Sequence, residues 1–143
     1  MNVKQAMTPQ PQCIQPDAPL VEAARRMSAL DVGMLPICED DRLVGTLTDR
    51  DIVIRAVAKG VNPNTTPVRE VMSPGIIYCF EDQSIEEAAE IMEVNQIRRL
   101  PVLGLDKHLV GIISLGDLAV RTNREELAGK VLERVSEPRL PTD

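Results

Sequence analysis

Hydrophobic and polar positions along the chain fall into short blocks of two kinds. Leu20, Ala23, Ala24 and Met27 recur at helical spacing, and Ile85, Ala88, Ala89 and Met92 repeat the pattern. These predict helices over Leu20–Leu30 and Ile85–Asn95, with Asp17 and Asp82 near their starts. Short apolar runs at Met34 to Cys38, Leu43 to Thr46, Leu100 to Leu103 and Leu109 to Ile113 predict strands. They are joined in pairs through the polar stretches Glu39 to Arg42 and Gly104 to His108. A further short strand is expected near Gln12 to Gln15 and again near Ile76 to Phe80. Second helices start at Thr48 and Ser114, and Asn123 to Val135 reads as a last helix before Pro138 and a loose tail.

The blocks are one sequence written twice. Val3 to Met7 and Pro9 return as Val68 to Met72 and Pro74, 65 positions on. Asp17, Leu20, Glu22 and Met27 return as Asp82, Ile85, Glu87 and Met92, and Pro36 returns as Pro101. After a one-residue insertion, Leu43-Val44-Gly45 to Asp51-Ile52 returns as Leu109-Val110-Gly111 to Asp117-Leu118. An ordered internal repeat of this kind implies a duplicated supersecondary unit. The expected division is a first unit over 1–60, a linker over 61–67 in turn formers, a second unit over 68–122, and a terminal helix and tail over 123–143. Each unit reads strand, helix, strand, strand, helix, an α+β (α/β-like) fold. A unit this small cannot cover both faces of its sheet, so the two should pack on each other about a pseudo-twofold axis.

Composition narrows the chemistry. Tyr78 and Phe80 are the only aromatic residues, so a planar ligand would be gripped by aliphatic side chains and backbone. The net charge of −6 and the missing aromatic platforms exclude the basic, stacking surface of a nucleic-acid binder. No charged-then-apolar leader and no run of membrane-spanning length is present, making the cytosol the expected compartment and the membrane no partner. Cys13, Cys38 and Cys79 lack the close spacing of zinc or redox motifs. His108, the only histidine, reads as a solvated turn residue, and a His-based triad is excluded by count.

The segments from Gly45 to Asp51 and from Gly111 to Asp117 each place a glycine in a strand, then a hydroxyl residue, then a carboxylate three positions on. One reading is structural: Thr48 and Ser114 are N-caps and Asp51 and Asp117 close capping boxes. The other is ligand binding. A helix start suits phosphate, with the hydroxyl adding a donor. A carboxylate one turn in accepts both hydroxyls of a ribose, and glycine lets a nucleoside approach the backbone. Both remain open on the residues alone. Nothing pairs a nucleophile with a base and an orienting group; Glu86 and Glu87 read as solvated helix residues, so no enzyme is expected.

The duplication, the order of elements and the two Gly-x-x-(Thr/Ser)-x-x-Asp signatures resemble the CBS-domain pair, or Bateman module, over about Val3 to Val120. That resemblance implies a regulatory module binding AMP, ADP, ATP, NAD or S-adenosylmethionine in clefts between its units, with no further cofactor. Asp51 and Asp117 match the family's ribose-binding aspartates, Thr48 and Ser114 its phosphate-side hydroxyls, and Arg98 a phosphate-contacting base. Gly33 stands where copy one would carry the equivalent of Arg98, so Arg50 is the candidate cation there. Arg99 is expected to be solvated. The resemblance also implies a homodimer. It sets Cys13 and Cys38 on neighbouring strands, where a disulfide would close a 25-residue loop and open an alternative function as a redox-controlled dimerisation unit.

Overall fold

Glu39-Asp40-Asp41-Arg42 turns the chain sharply because Asp40 and Asp41 both take positive φ, 50° and 64°, the geometry of a tight hairpin. The strands on either side, β2 (Met34–Glu39) and β3 (Arg42–Thr48), pair antiparallel with Met34 opposite Thr48. A computed structural model describes residues 1–138 apart from 10, 75 and 123, so the start of the last helix expected at Asn123 and the tail beyond Pro138 lie outside the described residues. The other elements, in chain order, are α1 (Val3–Ala6), β1 (Thr8–Pro9), α2 (Leu20–Leu30), α3 (Asp49–Ile52), β4 (Cys79–Phe80), α4 (Ile85–Asn95), β5 (Arg99–Leu103), β6 (Leu109–Ser114), α5 (Leu115–Val120) and α6 (Glu125–Ser136). A π-helical turn over Val53–Val57 continues α3, and a 3-10 turn covers Val68–Glu70.

The chain divides into two compact units, though not at the repeat boundary. Gln12–Ile76 forms an inner unit, and Met1–Pro11 joins Ile77–Asp143 in a split unit. Each copy's opening segment has been exchanged. In the split unit, Val3 and Lys4 donate backbone N–H bonds to Gln83 and Glu81, and Ile85 donates to Met1. In the inner unit the repeat-equivalent bonds run from Val68 to Ala18, Arg69 to Pro16, and Leu20 to Thr66. The linker stretch 61–67 supplies carbonyls to the first turn of α2, which has no side-chain cap. A buried helix start must satisfy its N–H groups somewhere.

The sheets repeat as well. The split unit orders its strands β1-β6-β5-β4, with β4 parallel to β5 and the others antiparallel. The inner unit pairs β2 with β3 and adds single bridges at Ile14–Ile37 and Thr46–Ser73. These bridges stand where β4 and β1 lie in the split unit, so the strand expected near Gln12 to Gln15 is reduced to one bridging residue.

Helices α2 and α4 end alike, on Asp31 and Gln96 in the left-handed conformation. Ile85, Ala88, Ala89 and Met92 of α4 pack with Leu100, Val102, Ile113 and Leu118 in the split unit's core. Leu20, Ala23 and Met27 do so with Leu35, Ile37 and Leu47 in the inner one. Each large aliphatic side chain withdrawn from water in this way contributes about 1.5–3 kcal/mol. The copies differ at one helix face. Ala89 is 1% exposed because α6 lies over α4 and α5 and buries Ala128 and Val131. Its counterpart Ala24 is exposed, as are Val53, Ile54 and Val57 beyond α3.

Candidate functional site

Both hydroxyl–carboxylate signatures fold into complete capping boxes. Thr48 Oγ1 accepts from the Asp51 N–H at 3.0 Å, and Asp51 Oδ2 accepts from the Thr48 N–H at 3.0 Å. Ser114 and Asp117 repeat this at 3.1 and 2.9 Å. Both boxes use Oδ2 of the aspartate, leaving Oδ1 outside them. Oδ1 of Asp117 lies 3.4 Å from Arg121 Nε, and that aspartate side chain is 13% exposed. Asp51 has no ion-pair partner among the described residues.

The glycines of the signatures have a different immediate task from admitting a nucleoside. A Cβ on Gly45 would stand 2.8 Å from the Ser73 carbonyl oxygen. A Cβ on Gly111 would stand 2.8 Å from that of Thr8 and 2.5 Å from Met7 Sδ. In each unit the exchanged opening segment crosses the strand at its glycine, and only the missing side chain permits that approach.

Two arginines that the sequence reading passed over complete the arrangement. Arg121 Nη1 donates to the Met7 carbonyl at 3.0 Å, and Arg55 Nη1 donates to those of Val71 and Met72, both at 3.2 Å. Met7 and Met72 are repeat equivalents, and so are Arg121 and Arg55. A signal was present, since each arginine lies four residues after its aspartate in both copies.

Arg98 and Gly33 do occupy equivalent places: their carbonyls accept the first N–H of the following helix, from Leu115 at 2.8 Å and Asp49 at 3.0 Å. Arg98, Arg99, Ser114 and Gly116 line a groove in the split unit together with Leu115, Ala119 and, from α6, Glu125, Ala128, Gly129 and Leu132. Its volume is about 560 Å³. The structure therefore brings Arg98 and Ser114 to one groove, which the exposed Arg99 also borders, and leaves Asp117 and Gly111 off it. Arg50 is exposed, with no side-chain partner among the described residues.

The Cys13 and Cys38 sulfurs sit at bonding distance, with their Cα atoms 5.6 Å apart, inside the span a disulfide bridges. Cys79 is free and buried, and burial pushes its thiol up to about 12. His108 is exposed and shares a 2.7 Å hydrogen bond with Asp106, which lowers the aspartate below its ordinary range. Among the described residues no group of three His, Cys, Asp or Glu side chains is placed to hold a metal ion, and no helix is long and apolar enough to cross a membrane.

Residues 3–57 and 68–121 each match the CBS domain. The chain belongs to the CBS domain family. It is 42% identical over 135 residues to the CBS domain-containing protein YhcV of Bacillus subtilis, covering 94% of this chain and 95% of that one. It is 44% identical over 108 residues to Hypoxic response protein 1 of Mycobacterium tuberculosis, 75% of each chain. A crystal structure of Hypoxic Response Protein I with two coordinated zinc ions superposes with a TM-score of 0.77 at 41% identity, over 83% of this chain and 97% of that one. The CBS domain pair of protein MJ0100, in complex with 5′-methylthioadenosine and S-adenosyl-L-methionine, superposes with a TM-score of 0.76 at 25% identity, over 87% and 98%. The match spans both repeats, so the α+β tandem read from the sequence is the observed fold.

Proposed function

We propose that this CBS pair is a non-catalytic regulatory module that binds an adenosine-containing small molecule, with Asp51 and Asp117 holding ribose hydroxyls. The observation that carries the proposal is the doubled carboxylate whose Oδ2 serves the cap and whose Oδ1 lies outside it. A carboxylate oxygen keeps acceptor capacity for a hydroxyl, so capping and ribose binding are compatible at one residue. Arg50 is the candidate cation of copy one and Arg98 that of copy two. The likeness to MJ0100 supports the adenosine class, within which AMP, ADP, ATP, NAD and S-adenosylmethionine are the candidates.

The absence of catalysis rests on how the reactive groups are spent. The Cys79 thiol stays protonated near neutral pH, and Thr48 and Ser114 accept helix N–H groups. A homodimer is supported by the bare inner-unit face around Val53, Ile54 and Val57, 58%, 45% and 69% exposed, since exposed apolar patches of this kind mark interaction surfaces.

A thermal-shift panel of the five ligands tests the proposal. At about 100 times its Kd a ligand stabilises by about 2.7 kcal/mol, a rise on the order of 8 °C for a chain of this length. A second reading, redox-controlled dimerisation without a ligand, is favoured by the apposition of Cys13 and Cys38. A flat response to all five ligands, with a midpoint that moves on reduction, selects that reading.

A further inference from the structure

Each signature aspartate is followed four residues later by an arginine, but the two copies use that arginine differently. In the split unit α5 stays α-helical to Val120, and Arg121 caps its end with a backbone N–H on the Asp117 carbonyl. Residues at i and i+4 of an α-helix share a face, so the guanidinium comes back over the aspartate. Arg121 Nε lies 3.4 Å from Asp117 Oδ1, and Nη1 donates to the Met7 carbonyl at 3.0 Å. One side chain thereby ties the carboxylate to the opening segment that crosses Gly111. In the inner unit α3 ends at Ile52, and the π-helical turn Val53–Val57 bonds the Ala58 N–H to the Val53 carbonyl, five residues back. A π-turn breaks the i, i+4 alignment, and such turns recur at functional sites. Arg55 is accordingly spent elsewhere, donating to the carbonyls of Val71 and Met72 at 3.2 Å each and to the Ser73 hydroxyl at 3.5 Å. Asp51 Oδ1 has no hydrogen-bond or ion-pair partner among the described residues.

We propose that Arg121 is a built-in competitor for the ribose at Asp117, so that the two copies fill in order, Asp51 first and Asp117 second. The inference rests on the adenosine-ligand reading above and concerns the regulation of those same sites. A guanidinium donates to a carboxylate more strongly than a neutral hydroxyl does. A ribose at Asp117 must therefore displace Arg121 or give up an acceptor, whereas at Asp51 it meets an oxygen that nothing else uses. Forgoing one hydrogen bond to a charged group weakens binding by roughly tenfold or more, which sets the separation of the two steps. Arg121 acts through Asp117 and is a positioning residue. A chain with a tight and a weak site responds over two ranges of ligand concentration.

The test is calorimetric titration of the full chain with adenosine and with 2′,3′-dideoxyadenosine, which lacks the diol. The proteins are wild type, Asp51→Ala, Asp117→Ala, Arg121→Gln and Arg55→Gln; glutamine is neutral and keeps a donor for the opening segment. Wild type should take adenosine in two steps, the tight one lost in Asp51→Ala and the weak one in Asp117→Ala. Arg121→Gln should tighten the weak step by roughly tenfold for adenosine and leave the dideoxy compound unchanged, whereas a merely structural role would move both ligands alike. Arg55→Gln alters the equivalent carbonyl bonds and should leave the spacing of the steps as it was. If Arg121→Gln does not fold, the two aspartate variants still decide the order. Two equal steps in wild type, a tight step that depends on Asp117, or a spacing that survives Arg121→Gln would overturn the order and leave the adenosine reading intact. No adenosine binding by any of the proteins would sink the adenosine reading, and the order with it.

Discussion

Replacing Gly111 by alanine tests the exchange of opening segments at its tightest point. The added Cβ would stand 2.8 Å from the Thr8 carbonyl oxygen and 2.5 Å from Met7 Sδ. Met7 can swing its thioether aside, but Thr8 and Pro9 are paired with Ile112 and Gly111 as β1 against β6, so the carbonyl can retreat only by opening that pairing. Overpacking of this kind costs about 1–3 kcal/mol, which lowers the melting midpoint by roughly 3–9 °C. Gly129→Ala is the matched control: nothing lies within 4 Å of its new Cβ, and alanine in a helix interior gains about 0.5–1 kcal/mol over glycine. The chain has one tyrosine and no tryptophan, and Tyr78 belongs to the split unit, with its ring 5.4 Å from that of Phe80. Tyrosine fluorescence during urea unfolding therefore reports on the unit that Gly111 serves. A Gly111→Ala protein unfolding within about 0.5 kcal/mol of wild type, the range of ordinary surface changes, would refute the reasoning.

Three further outcomes follow from other parts of the molecule. Under mild oxidation Cys13 and Cys38 should pair and stabilise the chain by about 3 kcal/mol, the effect expected for closing a loop of this length; non-reducing peptide mapping that finds three free thiols would dispose of the bridge. Arg124 holds the Glu86 carboxyl below the usual glutamate range, so their contact contributes above the unfolded glutamate pKa and is lost as pH falls through the folded one. The midpoint difference between wild type and Arg124→Ala should accordingly shrink on acidification from pH 7 to about pH 3, and a constant difference would contradict the link. Val53→Glu with Val57→Glu should convert a dimer to monomer in light scattering, and a retained dimer would show that the bare inner-unit face is not the contact.

What the sequence made legible depended on how local the cause was. Helices α2 and α4 were read with their observed bounds because their apolar spacing and their ends are written in adjacent residues, down to Asp31 and Gln96 at equivalent positions. The capping boxes were legible for the same reason. The exchange of opening segments was not, because Val3 and Val68 carry the same local pattern whichever copy they join; only hydrogen bonds to Gln83 and Ala18 distinguish the pairings. The roles of Gly45 and Gly111 depend on that same crossing. Arg55 and Arg121 look like ordinary helix cations until the carbonyls of Met72 and Met7 are placed beside them.

Titration of wild type, Asp51→Ala and Asp117→Ala with AMP and 2′-deoxy-AMP tests the ribose-binding claim most directly. A hydrogen bond to a charged group contributes about 1.5–3 kcal/mol, so loss of the 2′-hydroxyl should weaken binding to wild type by roughly tenfold or more. The aspartate substitutions should erase that preference as well as weaken AMP. If the carboxylates were caps only, each substitution would lower stability by about 1 kcal/mol and the ribo and deoxy ligands would bind wild type alike. AMP binding with no ribo preference is the result that would contradict the account.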